Sequence, residues 1–145
     1  MNILKVSTPQ KNEIELTIGK WVMPYYVGTF VELKNSVIVC YDWDEIKVNP
    51  PEPEFYHGCT IWCYNKNDKS IKWIIEEPPL AYTNGKLWNR GQVLIYGVSI
   101  NRDECYSGIS GHIGHEFLYA HTTGARAFKV DPDTGKVTLT ATGLR

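Results

Sequence analysis

Two runs rich in β-branched and aromatic residues, 60–65 (TIWCYN) and 70–76 (SIKWIIE), flank the polar link Lys66-Asn67-Asp68-Lys69. Runs of this length around a short polar link form a β-hairpin. Trp62, Tyr64, Ile71, Trp73 and Ile75 are expected to share one aromatic face. The same pattern closes the chain, where RAFKV and KVTLT bracket the turn DPDTG, with Phe128, Val130, Val137 and Leu139 on one face. Residues 61–75 align without gaps to 127–141, so the hairpin is used twice. Two copies are too few for a solenoid or a complete propeller.

The rest of the chain follows the period of strands. Residues 13–19 alternate, with Ile14, Leu16 and Ile18 on one side and Glu13, Glu15 and Thr17 on the other. Residues 26–33 and 36–41 form a further pair around Lys34-Asn35, and the second run, SVIVCY, is apolar on both faces, as a central strand is. Asn84-Gly85 between LAYT and KLWN signals a type I′ hairpin. QVLIYGVSI reads as one more two-sided apolar strand, and GISGHIGHEF as a loop. Pro50, Pro51 and Pro53 make 48–58 a loop or edge. A helical turn fits at 41–46 or at 103–107. Val, Ile and Thr supply 35 of the 145 residues, and no segment keeps helical periodicity over three turns. The expected fold is all-β: one domain, 1–145, an antiparallel meander of propeller-blade-like hairpins curled into a sandwich or partial barrel.

Net charge is -1, which argues against a highly basic nucleic-acid module. The N-terminus has no apolar core of a secretory signal, and apolar runs are too short to cross a bilayer. A soluble cytoplasmic protein is expected, with Cys40, Cys59, Cys63 and Cys105 reduced. Cys59-x3-Cys63 lacks the second ligand pair of a zinc ribbon, so no metal or cofactor is expected.

His112-x-x-His115-Glu116 has the wrong order and spacing for a zinc-protease helix, and the glycines around it oppose a helix. A small hydrolase or nuclease using His112, His115 and His121, with Arg126 as phosphate binder, is one alternative. A small-ligand-binding β domain using exposed Trp or Tyr is another. No nucleophile elbow, Walker loop or dinucleotide fingerprint is present, so no catalytic residue is assigned.

Charge is most uneven at 41–77, where eight acidic groups face four basic ones. Asp42, Asp44, Glu45, Glu52 and Glu54 crowd a proline-stiffened segment that contains only Lys47 as counter-charge. Trp43 and Tyr56 add aromatic anchors of the kind enriched at interfaces. These seven residues are the candidate partner-binding set.

Trp62-Cys63-Tyr64-Asn65 with Trp73 in mid-chain, followed by Val130-Asp131-Pro132-Asp133-Thr134-Gly135-Lys136-Val137 near the end, resembles a group of small bacterial immunity proteins of polymorphic-toxin and contact-dependent inhibition systems. The resemblance spans roughly 26–142 in order of elements and is specific in those two hairpins. It implies a protein that binds a cognate toxin, expected to be a nuclease with a basic cleft, and occludes its active site. It implies no direct contact with nucleic acid or membrane. It assigns no functional residue, because such interfaces vary with the toxin.

Overall fold

The computed structural model describes residues 2–47, 49–78, 81–83, 86–88, 105–114, 117–124 and 126–141, with the backbone alone for 81–83, 86–88 and 139–141. The strand predicted at 92–100 lies outside them.

The first sheet contains β1 (Ile3–Ser7), β2 (Lys11–Leu16), β3 (Gly19–Leu33), β4 (Ser36–Tyr41), β5 (Ile61–Asn65) and β6 (Ile71–Ile74). Its order is β1-β3-β4-β5-β6, with β2 also on β3, and every pairing is antiparallel. A ribbon pairs β7 (Ala81–Thr83) with β8 (Lys86–Trp88), as Asn84-Gly85 predicts. The second sheet runs β12-β11-β10-β9, from β9 (Tyr106–Ser110), β10 (Leu118–Thr122), β11 (Ala127–Val130) and β12 (Val137–Ala141). The fold is therefore the expected all-β meander, and it stays open instead of closing into a barrel.

β3 organises the first sheet. Its C-terminal part, Phe30–Leu33, pairs with β1, and Gly19–Val27 pairs with β2 along the same edge. Between Val22 and Val27 the register with β2 slips by several residues, and Pro24, which has no N–H to donate, sits in the slip. The irregularity lets the β2–β3 hairpin leave the plane of the sheet and cover its outer face.

Two cores result. Between the sheets lie Ile3, Val31, Ile38, Cys40, Ile61, Cys63, Trp73, Tyr106, Ile109, Leu118 and Phe128. On the other face of the first sheet lie Ile14, Leu16, Met23, Val27, Phe30, Val37, Val39, Tyr41, Trp62 and Tyr64, joined by Ile46 and Phe55 from the acidic segment. All six residues of β4 are buried because the strand contributes to both cores. The two-sided apolarity of SVIVCY follows from that position.

The shared aromatic face predicted for β5–β6 is incorrect. Trp62 and Tyr64 enter the outer core, and Trp73 and Ile75 enter the inter-sheet core. Trp73 stands opposite Cys63, Ile71 opposite Tyr64, and the register shifts between Cys63 and Tyr64. A shift of one residue moves a strand's side chains to the opposite face. Apolar patterning could not set this register, because both faces of β5 are buried.

Three local expectations change as well. Ile18 is 61% exposed, because β2 ends at Leu16 and the chain reverses through Thr17-Ile18 into Gly19. Gly108-Ile109-Ser110 is strand, not loop, and the loop begins at Gly111, where a Cβ would stand 2.6 Å from Ile3 Cδ1. A helical turn does form in the acidic segment, but Tyr106 and Ser107 are strand.

The two hairpins that carry the sequence motifs dock on each other. Trp73 Nε1 donates to the Pro132 carbonyl at 2.8 Å, and Gly135 packs against the indole face. Glu76 Oε1 accepts from the Val137 N–H at 2.7 Å, and Lys72 reaches Asp133 at 3.6 Å. The DPDTG turn is shaped by Asp131, whose side chain accepts from Asp133 N and whose carbonyl accepts from Gly135 N, both at 2.8 Å. These motif residues thus build the fold.

Candidate protein-binding surface

The acidic segment leaves β4 at Asp42 and returns to β5 through Gly58. Its N–H groups fix its course. Asp42 N donates to Tyr26 O at 2.9 Å, and the Asp42 carboxylate caps a single helical turn, α1 (Trp43–Ile46), by accepting from Asp44 N at 3.0 Å. A 3-10 helix then spans Pro53–His57, with proline in its first turn and Gly58 at φ 78° ending it.

Each short helix drops one apolar side chain into the outer core, Ile46 from α1 and Phe55 from the 3-10 helix. Phe55 is fully buried and stacks on Trp62, with ring centroids 5.4 Å apart and planes at 28°. Tyr25 and Tyr41 meet Phe55 edge-on. The Glu52 carboxylate accepts a hydrogen bond from the Tyr25 hydroxyl. Burial, that bond and the nearby negative charge push the Tyr25 phenol up to about 12. Tyr41 and Tyr64 share a buried hydroxyl–hydroxyl hydrogen bond, and burial first of all pushes Tyr64 up to about 12.

The seven predicted residues therefore divide. Asp42 and Glu52 are used internally, as helix cap and tyrosine acceptor. Trp43 is half-buried against the outer core, and Glu54 is half-buried. Asp44, Glu45 and Tyr56 face solvent, with Asp44 3.2 Å from Lys47 Nζ and Tyr56 58% exposed. At the end of the segment His57 Nδ1 lies 3.5 Å from Glu77. The surface is a short, backbone-anchored run of carboxylates with an aromatic ring at its far end.

The residues of the histidine alternative are described in part. His112 lies in the loop after β9, His121 lies on β10, and His115 is outside the described residues. His121 Nε2 is 2.8 Å from Ser110 Oγ on the adjacent strand, and Arg126 lies over the Phe128 ring at 5.0 Å. Among the described residues no three His, Cys, Asp or Glu side chains are grouped to hold a metal. All four cysteines are buried thiols, and burial pushes Cys40 up to about 12 and Cys63 to about 11. No described helix is long and apolar enough to cross a membrane.

A buried ion pair escaped the sequence reading. Glu32 is fully buried on β3 and accepts from Lys66 Nζ at 2.6 Å, Thr17 N at 3.0 Å and Thr17 Oγ1 at 2.6 Å. Burial alone would raise its carboxyl, but the hydrogen bonds from Lys66 and Thr17 outweigh it and hold the group below its usual range. The pair ties the β2–β3 turn to the β5–β6 turn over the outer core. Its signal was present: one carboxylate inside the apolar run Phe30-Val31-Glu32-Leu33.

No protein-family model, curated protein or solved structure matches the chain.

Proposed function

We propose that this protein is a cytoplasmic immunity protein that neutralises a cognate toxin by binding over its active site or substrate surface. The acidic segment is the contact face, and a nuclease with a basic cleft is the fitting partner. One observation carries the reading: the segment is held to the outer core by Ile46, Phe55 and the Glu52–Tyr25 hydrogen bond, while Asp44, Glu45 and Tyr56 point away from it. A surface already ordered before binding loses little conformational entropy when a partner docks. Carboxylates steer a basic partner and speed its capture, and an aromatic ring supplies a desolvating anchor. The two hairpin motifs resemble those of immunity proteins in sequence; their side chains dock the two sheets, so they bear on the fold more than on the function.

The test is co-expression with the product of the adjacent open reading frame, with the tag on this protein alone. The expected result is a stoichiometric complex with a product that arrests growth when expressed by itself. Elution of this protein alone, beside a harmless neighbour, would reject the proposal.

A further inference from the structure

β1 and β2 run along one edge of β3 but are separated by Thr8-Pro9-Gln10. Gln10 holds φ at 55°, a left-handed conformation that costs a non-glycine residue about 1 kcal/mol. The interruption leaves a cleft of about 270 Å³ between the strands, at the small end of ligand pockets. Ile14 and Phe30, both almost completely buried, close its floor.

Its walls carry Lys5, Lys11 and Lys20 against Glu13 and Glu15, with the Ser7 hydroxyl as a further donor. Lys5 Nζ donates to the Glu15 carbonyl at 2.7 Å, which fixes one ammonium in place across the cleft. Lys20 Nζ lies 3.9 Å from Glu13, a loose and exposed pairing that an incoming anion can displace. The lining contains no arginine. Lysine ammoniums act as point charges, and three of them around one concavity suit a compact dianion better than a singly charged carboxylate, whereas the guanidinium fork serves carboxylate and phosphate alike. Backbone strain beside a concave, cation-rich wall is where a ligand site is expected.

We infer that this cleft binds a small phosphate-bearing molecule. The phosphate lies among Lys5, Lys11 and Lys20, and its second negative charge displaces Glu13 from Lys20.

The experiment is a 15N-NMR titration of the full chain with inorganic phosphate and with phenyl phosphate, at constant ionic strength set with sodium chloride. The expected result is saturable shifts confined to amides around Ser7, Lys11 and Lys20. The K11Q/K20Q variant weakens binding by about tenfold, the scale of two exposed charge contacts. E13Q tightens it, because Lys20 no longer has a competing partner. These substitutions are at surface positions, and an unchanged spectrum away from the cleft verifies folding. Linear shifts spread over all lysines, or the same affinity in K11Q/K20Q, would overturn the assignment.

Discussion

Replacing Gly135 by alanine tests the docking of the two hairpins. Two separate costs act at this position. The first is conformational: Gly135 holds φ at 78°, and an L-residue there loses about 1 kcal/mol. The second is steric: an added Cβ would lie 2.5 Å from Trp73 Cε3 and 2.7 Å from Cδ2. The indole cannot simply swing aside, because Nε1 is bonded to the Pro132 carbonyl and the ring is buried between the sheets. Overpacking of this kind costs about 1–3 kcal/mol, so the sum is about 2–4 kcal/mol. Gly114 provides the control, since its φ is 85° and a Cβ there meets nothing within 4 Å. Gly114→Ala should cost the conformational part alone, about 1 kcal/mol. At about 3 °C per kcal/mol for a chain of this length, Gly135→Ala lowers Tm by about 6–12 °C and Gly114→Ala by about 3 °C. Thermal unfolding followed by circular dichroism, with urea titrations alongside, reads both. Equal losses in the two variants would refute the steric part and with it the seating of the DPDTG turn on Trp73.

Other substitutions probe the remaining contacts. Glu32→Gln strands the buried Lys66 ammonium and should cost about 3–5 kcal/mol in urea unfolding, whereas Glu32→Leu with Lys66→Met should cost much less. The folded-state carboxyl of Glu32 is depressed, so its stabilisation is complete above the unfolded-state pKa and is lost as pH falls through the folded-state value. The acid limb of a stability–pH curve should therefore flatten in Glu32→Gln, and an unchanged limb would contradict the pairing. Phe55→Ala removes the ring stacked on Trp62 and should cost about 3–5 kcal/mol, measured by chemical unfolding. Tyr25→Phe leaves Glu52 without its hydroxyl donor, and its expected cost is about 1–3 kcal/mol; ultraviolet titration of the parent should show two phenols ionising near 12, Tyr25 and Tyr64, and the variant should show one fewer. The four buried thiols should resist a thiol reagent in the native protein and react on unfolding; rapid native labelling would contradict their burial.

The parts of the fold that were legible in the sequence are those where local chemistry decides alone. Alternation marked Ile14 and Leu16, Asn84-Gly85 marked the β7–β8 ribbon, and Asp131 through Gly135 marked the last turn. Register on β5–β6 was hidden because both faces of β5 are buried and apolar. The first part of β3 was hidden for a different reason. The strand is expected over 26–33, yet β3 begins at Gly19 and runs through Pro24, which is tolerated because β3 slips its register with β2 at that point. In the candidate surface, the clustering of carboxylates was plain, but their division of labour was not. Asp42 caps α1, and Glu52 finds Tyr25, which is 27 residues away in sequence, so only the folded chain reveals which carboxylates turn outward.

That division decides how the binding proposal is best tested. Asp42 must be left intact, because its loss would unravel α1 and confuse folding with binding. The measurement is the association rate of the proposed partner, the growth-arresting product of the adjacent reading frame, with the parent protein and with D44K/E45K, taken by stopped-flow fluorescence at low and high salt. Charge reversal should slow association by about tenfold or more at low salt, added salt should narrow the difference, and the loss of the Asp44–Lys47 pair should cost no more than about 1 kcal/mol of stability. Equal association rates for parent and variant would contradict the assignment of the acidic segment as the contact face.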